Sequence, residues 1–344
     1  MSKQKQGLER EIWLDNLRII AIVCVVLIHV SSNPNNLIPS TDAFLEIYKS
    51  SLRFSVPLFV MVSGTIQLNQ SSSIFSFYKK RIPKIVLALL LWGNVYILFN
   101  HVFKSPYNLR GYLGSFLLSS TPGSVHLWFL YLIIGLYLIT PLLWKVLSYI
   151  STKQLIFLST LFAFLFFDIT PLRILGFTQT TLIKISSYPN YLVLFIPYIS
   201  YYILGKAIKD IKPKFNVLQV VFLVIILVSS LVYTSFFTAI TNNEAFSSYT
   251  SINVYLSTIC LFCLVYQLGE IPIIGNELNV KIATASFGIY LIHNLIRNTF
   301  TLFGISGFLI SPAIGIPIFA GVVFVISYAL TILLKSNRIT KNLV

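Results

Sequence analysis

The sequence predicts an all-α membrane protein with about ten transmembrane helices, and three observations support this prediction. Hydrophobic residues make up 56% of the 344-residue chain and charged residues only 10%, whereas about a quarter of the residues in a soluble domain are charged. Many apolar runs approach the roughly 20 residues with which a helix crosses a bilayer core. Most Lys and Arg residues fall between these runs, as expected for connections at a membrane surface.

The apolar runs give approximate spans whose boundaries a sequence pattern places only to within a few residues. They cover residues 14–32, 45–67, 83–103, 125–147, 154–172, 189–209, 217–237, 252–269, 283–303 and 306–335. Pro57 and Gly64 in the second span predict a kink or a close helix approach. Pro312 and Pro317 predict that the last run is interrupted. The connections are too short for a separate soluble domain, so residues 1–344 are expected to form a single membrane domain.

The net charge is +15, and its distribution favours membrane topology and anionic lipid over nucleic acid as the explanation. Most of the 25 Lys and Arg residues lie in alternate connections between the predicted spans. Because cytoplasmic loops are enriched in Lys and Arg, this alternation predicts that both termini lie in the cytoplasm. We therefore expect a multi-pass protein of the cytoplasmic (inner) membrane that contacts lipid and binds no nucleic acid.

The first span carries Asp15, Arg18 and His29 on one side of the predicted helix. At 100° and 1.5 Å per residue, Arg18 and His29 share a face about 16 Å apart, and Asp15 lies within about 60° of it. Ionisable groups inside a bilayer are costly and usually face a functional cavity. The alternative is that Asp15 and Arg18 mark the helix entrance while His29 is interfacial. The shared face favours a functional role.

The residue types in this stripe indicate their chemistry. His29 suits a general base, because the ordinary pKa of imidazole lies near neutrality. Arg18 suits a phosphate-bearing donor, because a guanidinium stays charged and binds phosphate through two hydrogen bonds. Arg53 opens the second span at a depth near that of His29, where it would orient an acceptor or stabilise an oxyanion. A structural arginine that reaches toward the headgroups is the alternative for Arg53.

Two further segments contribute candidate residues. His126 and Trp128 lie at the outer end of the fourth span, where an aromatic belt also explains Trp128. His293 and Arg297 lie one turn apart on one face of the ninth span; a structural histidine is the usual explanation for one such residue, but two ionisable groups on one face favour a lined cavity. The sequence contains no nucleotide-binding glycine loop, no paired carboxylates within a helix and no Gly-x-Ser-x-Gly elbow. No cluster has convincing metal-ligand spacing, so no metal is expected.

Taken together, these segments resemble acyltransferase family 3, a group of bacterial membrane O-acetyltransferases that act on surface glycans. The resemblance rests on four motifs that occur in the family's order and cover nearly the whole chain. They are Asp15-x-x-Arg18-x10-His29, Arg53-x-x-Val56-Pro57-Leu-Phe-x-x-x-Ser63-Gly64, His126-Leu-Trp128-Phe-Leu and Phe287-Gly-Ile-Tyr290-Leu-Ile-His293. Each motif alone is weak, but the ordered set is specific.

The resemblance implies a ten-helix fold with acetyl-CoA, or another acyl-CoA, as the cytoplasmic donor. It implies transfer of the acyl group to a hydroxyl of an extracytoplasmic or lipid-linked glycan. His29 matches the presumed catalytic histidine of the family, and Arg18 and Arg53 match its functional arginines. The chain stops soon after its last span, at Val344, which is expected for a standalone form without a C-terminal hydrolase-like domain. Such a form completes the transfer itself or passes the acyl group to a separate glycan-assembly partner.

We assign the candidate residues to three expected roles. The predicted catalytic residues are His29, Arg53 and Asp15; the predicted donor-binding residues are Arg18, Lys79, Lys80 and Arg81; the predicted substrate-binding residues are His126, Trp128, Tyr290, His293 and Arg297. The main alternative function is a transporter or flippase for a glycan or small anion, in which the same residues line a permeation path. The lack of a clear inverted repeat weighs against it. A non-catalytic scaffold in a glycan-assembly complex is the third hypothesis.

Overall fold

The computed structural model describes residues 10–32, 43–69, 73–103, 125–167, 195–338 and 340–344, and the regular elements within them are helices. The α-helices are α1 (Ile12–Val30), α2 (Ala43–Ser51), α3 (Ser55–Gln67), α4 (Ile74–Phe103), α5 (Trp128–Leu147), α6 (Thr152–Phe166), α7 (Ile199–Ile211), α8 (Val217–Thr241), α9 (Ile252–Leu268), α10 (Asn276–Leu302) and α11 (Pro312–Ser336). In this part of the chain, α1, α4, α5, α8 and α11 are long and apolar enough to cross a membrane. The prediction of an all-α polytopic membrane protein is confirmed.

Helix α1 lies at the centre of the bundle. It packs against α3, α9, α10 and α11, and its residues Leu17, Ala21 and Ile22 are completely buried. Helix α8 differs, because most of its apolar side chains are exposed, as expected for a helix that faces lipid. Asp15 is also buried, at 1% exposure, so the prediction that the polar stripe of α1 faces the bundle interior is confirmed for this residue.

The predicted second span, 45–67, is two helices rather than one. Helix α2 ends at Ser51 and α3 begins at Ser55, so the predicted span is divided at residues 52–54. Pro57 occupies the third position of α3, where the missing N–H would have had no intrahelical partner. The chain can therefore restart a helix just before Pro57, and Arg53 lies in the break between the two helices.

Other boundaries differ from the predicted ones at polar residues. Helix α4 begins at Ile74 rather than at residue 83, with Pro83 inside it. The basic residues 79–81 consequently lie on a helix, since Lys and Arg are good helix formers whose long side chains reach polar surroundings. Pro312 begins α11, a position at which proline is tolerated, whereas Pro317 lies inside the helix and does not interrupt it. Parts of the predicted spans 154–172 and 189–209 lie outside the described residues.

Helices α3 and α7 cross at two glycines. A Cβ atom added at Gly64 would lie 1.9 Å from the carbonyl oxygen of Tyr202, and one added at Gly205 would lie 2.1 Å from the carbonyl oxygen of Met61. Only residues without a side chain allow the two backbones to approach this closely. The close approach predicted at Gly64 is therefore confirmed, and it holds α3 firmly in the bundle.

We predict that Gly64→Ala destabilises the protein, because the new methyl group overlaps backbone atoms of α7 that cannot move aside. The expected loss is about 1–3 kcal/mol, the usual cost of overpacking. Thermal unfolding of the purified protein in lipid nanodiscs measures it. Gly321→Ala is the matched control, since a Cβ there would meet no atom within 4 Å. Equal unfolding temperatures for the two variants would contradict the prediction.

Candidate functional site

Two cavities lie one above the other along the bundle. The first, of about 480 Å³, is formed by the N-terminal parts of α1, α4, α5 and α10 and the C-terminal part of α3. The second, of about 300 Å³, is formed by the C-terminal end of α1 and the N-terminal ends of α3 and α5. Because α1 contributes its N-terminal part to the first cavity and its C-terminal end to the second, the two cavities lie toward opposite ends of the bundle.

The larger space, here called the basic cavity, has a strongly positive lining. Its cationic residues are Arg10, Arg18, Lys80, Arg81 and Lys84, and the described residues that line it include no Asp or Glu. A cavity with one sign of charge concentrates ligands of the opposite sign. Guanidinium and ammonium groups together are the usual partners of phosphate groups.

Asp15 organises two of these cations from just outside the basic cavity. Its Oδ2 atom accepts a hydrogen bond from Arg10 Nε at 2.5 Å, and its Oδ1 atom accepts one from Arg18 Nη1 at 2.8 Å. Arg10 Nη2 also donates to the Val280 carbonyl at 3.1 Å and to the Thr284 hydroxyl at 2.9 Å. The carboxylate thus fixes the orientation of both guanidinium groups while their other N–H groups can bind a ligand.

The smaller space, here called the histidine cavity, lies beside a cluster of three histidines, which are His29 from α1, His126 from the short 3-10 helix before α5, and His293 from α10. The ring centroids of His29 and His126 are 5.8 Å apart, those of His29 and His293 are 5.1 Å apart, and those of His126 and His293 are 5.2 Å apart. His29 and His126 line the cavity, whereas His293 is completely buried behind them. Within the described residues, no group of three His, Cys, Asp or Glu side chains is arranged to hold a metal ion.

Two ring nitrogens in this cluster are buried without a hydrogen-bond partner in the described part of the chain. His293 Nδ1 lies 3.1 Å from the Ile289 carbonyl oxygen. Since a carbonyl only accepts, Nδ1 carries the hydrogen and Nε2 of the neutral ring is left as an acceptor. Nε2 of His293 and Nε2 of His126 are the two unpartnered atoms. Buried polar atoms without partners are uncommon and often mark sites where a ligand or a proton binds.

Arg53 enters the histidine cavity from the break between α2 and α3. Its Nη1 atom donates to the Tyr249 hydroxyl at 3.3 Å, and its guanidinium carbon lies 5.2 Å from the centre of the Tyr249 ring. The Trp128 ring lies 5.7 Å from that of Tyr249, at an interplanar angle of 31°. Arg53 and His29 therefore share one cavity, and an aromatic wall stands beside them.

The structure separates the predicted site residues into four groups. Arg18, Lys80 and Arg81 line the basic cavity; His29, Arg53, His126 and Trp128 line the histidine cavity; Tyr290 lines both. Asp15, Lys79, His293 and Arg297 line neither. Lys79 is exposed on α4, whereas Arg297 Nη2 donates to the Ser32 carbonyl at 3.0 Å and so holds the end of α1.

Sequence reasoning missed several lining residues. Arg10 and Lys84 line the basic cavity, and Glu244 and Tyr249 line the histidine cavity. Lys84 lies one turn after Lys80, so an earlier start for α4 would have placed the two lysines on one face. Glu244 and Tyr249 lie in the connection between α8 and α9, where no periodic pattern identifies them.

Comparison with known protein families gives one match. A family model described as an acyltransferase domain (Acyl_transf_3) matches residues 11–333, which include every residue of both cavities except Arg10. Neither the curated proteins nor the solved structures contain a match.

We predict that Asp15→Asn lowers stability, because it leaves two guanidinium groups without their buried anionic partner. The expected loss is on the order of 1–3 kcal/mol, as for other removed partners of buried charged hydrogen bonds. Thermal unfolding in nanodiscs measures the change. Glu277→Gln provides a matched control, because Glu277 pairs with Lys281 at 2.5 Å on an exposed part of α10 and its loss is expected to have no measurable effect. Equal stability of both variants would show that Asp15 does not anchor Arg10 and Arg18.

Proposed function

Because the chain belongs to acyltransferase family 3, we propose that it is an acyl-CoA-dependent membrane O-acyltransferase. The proposed reaction moves an acetyl group from cytoplasmic acetyl-CoA to a hydroxyl of an extracytoplasmic or lipid-linked cell-surface glycan. The observation that carries this proposal is the pair of stacked cavities, one lined by cations and the other by histidines. In this proposal the protein lies in the inner membrane, with lipid around the helix bundle. Its basic cavity opens toward the cytoplasm.

The basic cavity suits the donor, because coenzyme A carries several phosphate groups on a long, flexible thiol arm. Arg18 and Arg10 present the guanidinium forks that bind phosphate oxygens, and Lys80 and Arg81 add charge from the facing helix. Asp15 serves as a positioning residue for Arg18 rather than as a group that touches the reacting atoms. Lys79 attracts the anionic donor to the membrane surface.

The transfer step takes place at His29. Its neutral imidazole removes the proton of the acceptor hydroxyl as the oxygen attacks the carbonyl carbon of the thioester. Arg53 stabilises the negative charge that develops on the carbonyl oxygen. When the carbon–sulfur bond breaks, the proton held by His29 passes to the departing thiolate, so that the products are the glycan ester and coenzyme A with a free thiol. His293 lies behind His29 and orients its ring.

The histidine cavity suits a sugar as acceptor. Small-ligand sites typically combine aromatic faces with a few polar groups. In the histidine cavity, Trp128 and Tyr249 supply the aromatic faces, and Glu244 and His126 supply the polar groups. Tyr290 closes the cavity from below, and Arg297 keeps the end of α1 in place through Ser32. The cavity can therefore hold one sugar ring with a hydroxyl directed toward His29, and a separate glycan-assembly partner would deliver the longer chain.

We predict that His29→Ala lowers the rate of acetyl transfer about 10²–10⁴-fold, the usual contribution of a positioned general base. The assay adds radiolabelled acetyl-CoA to inside-out membrane vesicles from cells that make the protein, and it measures free coenzyme A and base-labile acetyl esters. His101→Ala is the matched control, because His101 is exposed on α4 and lines neither cavity.

A His29→Ala protein that folds, binds acetyl-CoA and transfers acetyl at the wild-type rate would overturn the proposed role of His29. A wild-type protein that releases no coenzyme A from acetyl-CoA would overturn the acyltransferase proposal itself and favour a transporter or a scaffold. Thioester cleavage therefore distinguishes the enzyme from both alternatives.

We also predict that Arg18→Gln raises the KM for acetyl-CoA about tenfold or more and changes kcat little. One lost charged hydrogen bond to phosphate costs about 1.5–3 kcal/mol of binding free energy, and 1.4 kcal/mol corresponds to a factor of ten. Initial rates of coenzyme A release over a range of acetyl-CoA concentrations measure both constants. Lys79→Gln removes a neighbouring charge outside the cavity and is expected to change KM less than twofold. A larger effect of Lys79→Gln than of Arg18→Gln would mean that the donor does not bind in the basic cavity.

A further inference from the structure

Three aromatic side chains line both cavities at once. They are Phe59 from α3, Phe129 from α5 and Tyr290 from α10. The ring centroids of Phe59 and Phe129 are 6.1 Å apart, and those of Phe129 and Tyr290 are 5.6 Å apart. A side chain that contributes to the walls of two neighbouring cavities lies between them, so these three rings form a contiguous layer, here called the aromatic partition.

One side of the aromatic partition is held more firmly than the other. The Tyr290 hydroxyl donates a hydrogen bond to the His126 carbonyl oxygen, and its ring packs at 5.5 Å against the ring of His126 and at 6.5 Å against that of Phe287. Phe59 and Phe129 are only half-buried, and a phenylalanine side chain has no polar atom through which a hydrogen bond could fix its position. Rotation of these two rings is therefore the smallest movement that would join the cavities.

The aromatic partition lies on the path of the reaction. The cations that bind the donor are below it, and His29 is above it. If the donor binds as proposed, the thioester must pass between these rings to reach His29. Any role of the aromatic partition in the reaction rests on that proposed function.

We propose that Phe59, Phe129 and Tyr290 select the length of the transferred acyl group and keep water away from the thioester. Because these rings are in contact, an acyl group passes only when one of them rotates, and each added methylene needs further room between the rotated ring and its neighbours. A methylene in a tight apolar site changes specificity about 10–200-fold. An apolar layer also excludes water from the reacting carbon, which suppresses side reactions.

The side reaction that the partition suppresses is thioester hydrolysis. In it, water rather than the acceptor hydroxyl attacks the carbonyl carbon, the carbon–sulfur bond breaks, and the products are acetate and coenzyme A with a free thiol. Hydrolysis and transfer each release one coenzyme A for every acyl-CoA consumed, but only transfer forms an ester. The ratio of ester formed to coenzyme A released therefore measures how well water is excluded from the thioester.

Phe129→Ala tests this proposal in the full-length protein. Inside-out vesicles receive acetyl-CoA or butyryl-CoA, each radiolabelled in the acyl group, and both free coenzyme A and base-labile ester are measured. We expect the kcat/KM for butyryl-CoA relative to acetyl-CoA to rise about tenfold or more, and the fraction of coenzyme A matched by ester to fall. Phe129→Leu restores part of the volume and is expected to give intermediate values. Phe59→Ala is a second variant with the same expected direction, in case Phe129→Ala does not fold.

Phe162→Ala is the matched control, because Phe162 is a half-buried phenylalanine on α6 that lines neither cavity. It is expected to keep the wild-type donor preference and ester yield. If folded Phe129→Ala and Phe59→Ala proteins lose activity equally with both donors and keep the wild-type ester yield, the residues are only structural and the partition proposal is wrong. That outcome leaves wild-type acetyl transfer intact, whereas a wild-type protein without any transfer would refute the proposed function instead.

Discussion

The buried carboxylate of Asp15 is the constraint on which the rest of the structure depends. A charge within an apolar bundle must be paired, and Asp15 is paired with Arg10 and Arg18 at 2.5 and 2.8 Å. The carboxylate must also be shielded from lipid by other helices, and α1 is accordingly surrounded by α3, α9, α10 and α11. Once α1 is central, the same helical face carries His29 into the bundle interior about 16 Å further along the axis. One ion-paired cluster thereby sets the depth and direction of both cavities.

The two cavities divide the chemistry between opposite ends of the bundle. Cations from α1 and α4 gather at one end, while three imidazole rings from distant parts of the chain meet at the other. Aromatic rings from three helices separate the two cavities. In the proposed reaction, a charged donor binds on one side of this layer and a polar acceptor on the other. Only the thioester end of the donor then needs to cross the aromatic layer.

Much of this organisation was predictable from the sequence because it is local. Composition and apolar periodicity predict the all-α membrane class, and 3.6-residue periodicity places Asp15, Arg18 and His29 on one face. Pro57 does not locate the break in the second span, which falls at residues 52–54, because a proline in the first turn of a helix is tolerated. The predicted start of α4 is late because basic residues suggest a loop through their charge although their helix propensity is high.

The sequence by itself therefore determined the membrane class, the family and the polar stripe of the first helix. Only the tertiary structure decided which side chains meet that stripe. His126 and His293 converge on His29, Arg10 joins Arg18 on Asp15, and the aromatic layer forms from three helices. The physical reason is that periodicity describes the faces of a single helix, whereas the rotation and depth of each helix depend on packing between segments far apart in the chain. Close contacts such as that of Gly64 with α7 set this geometry.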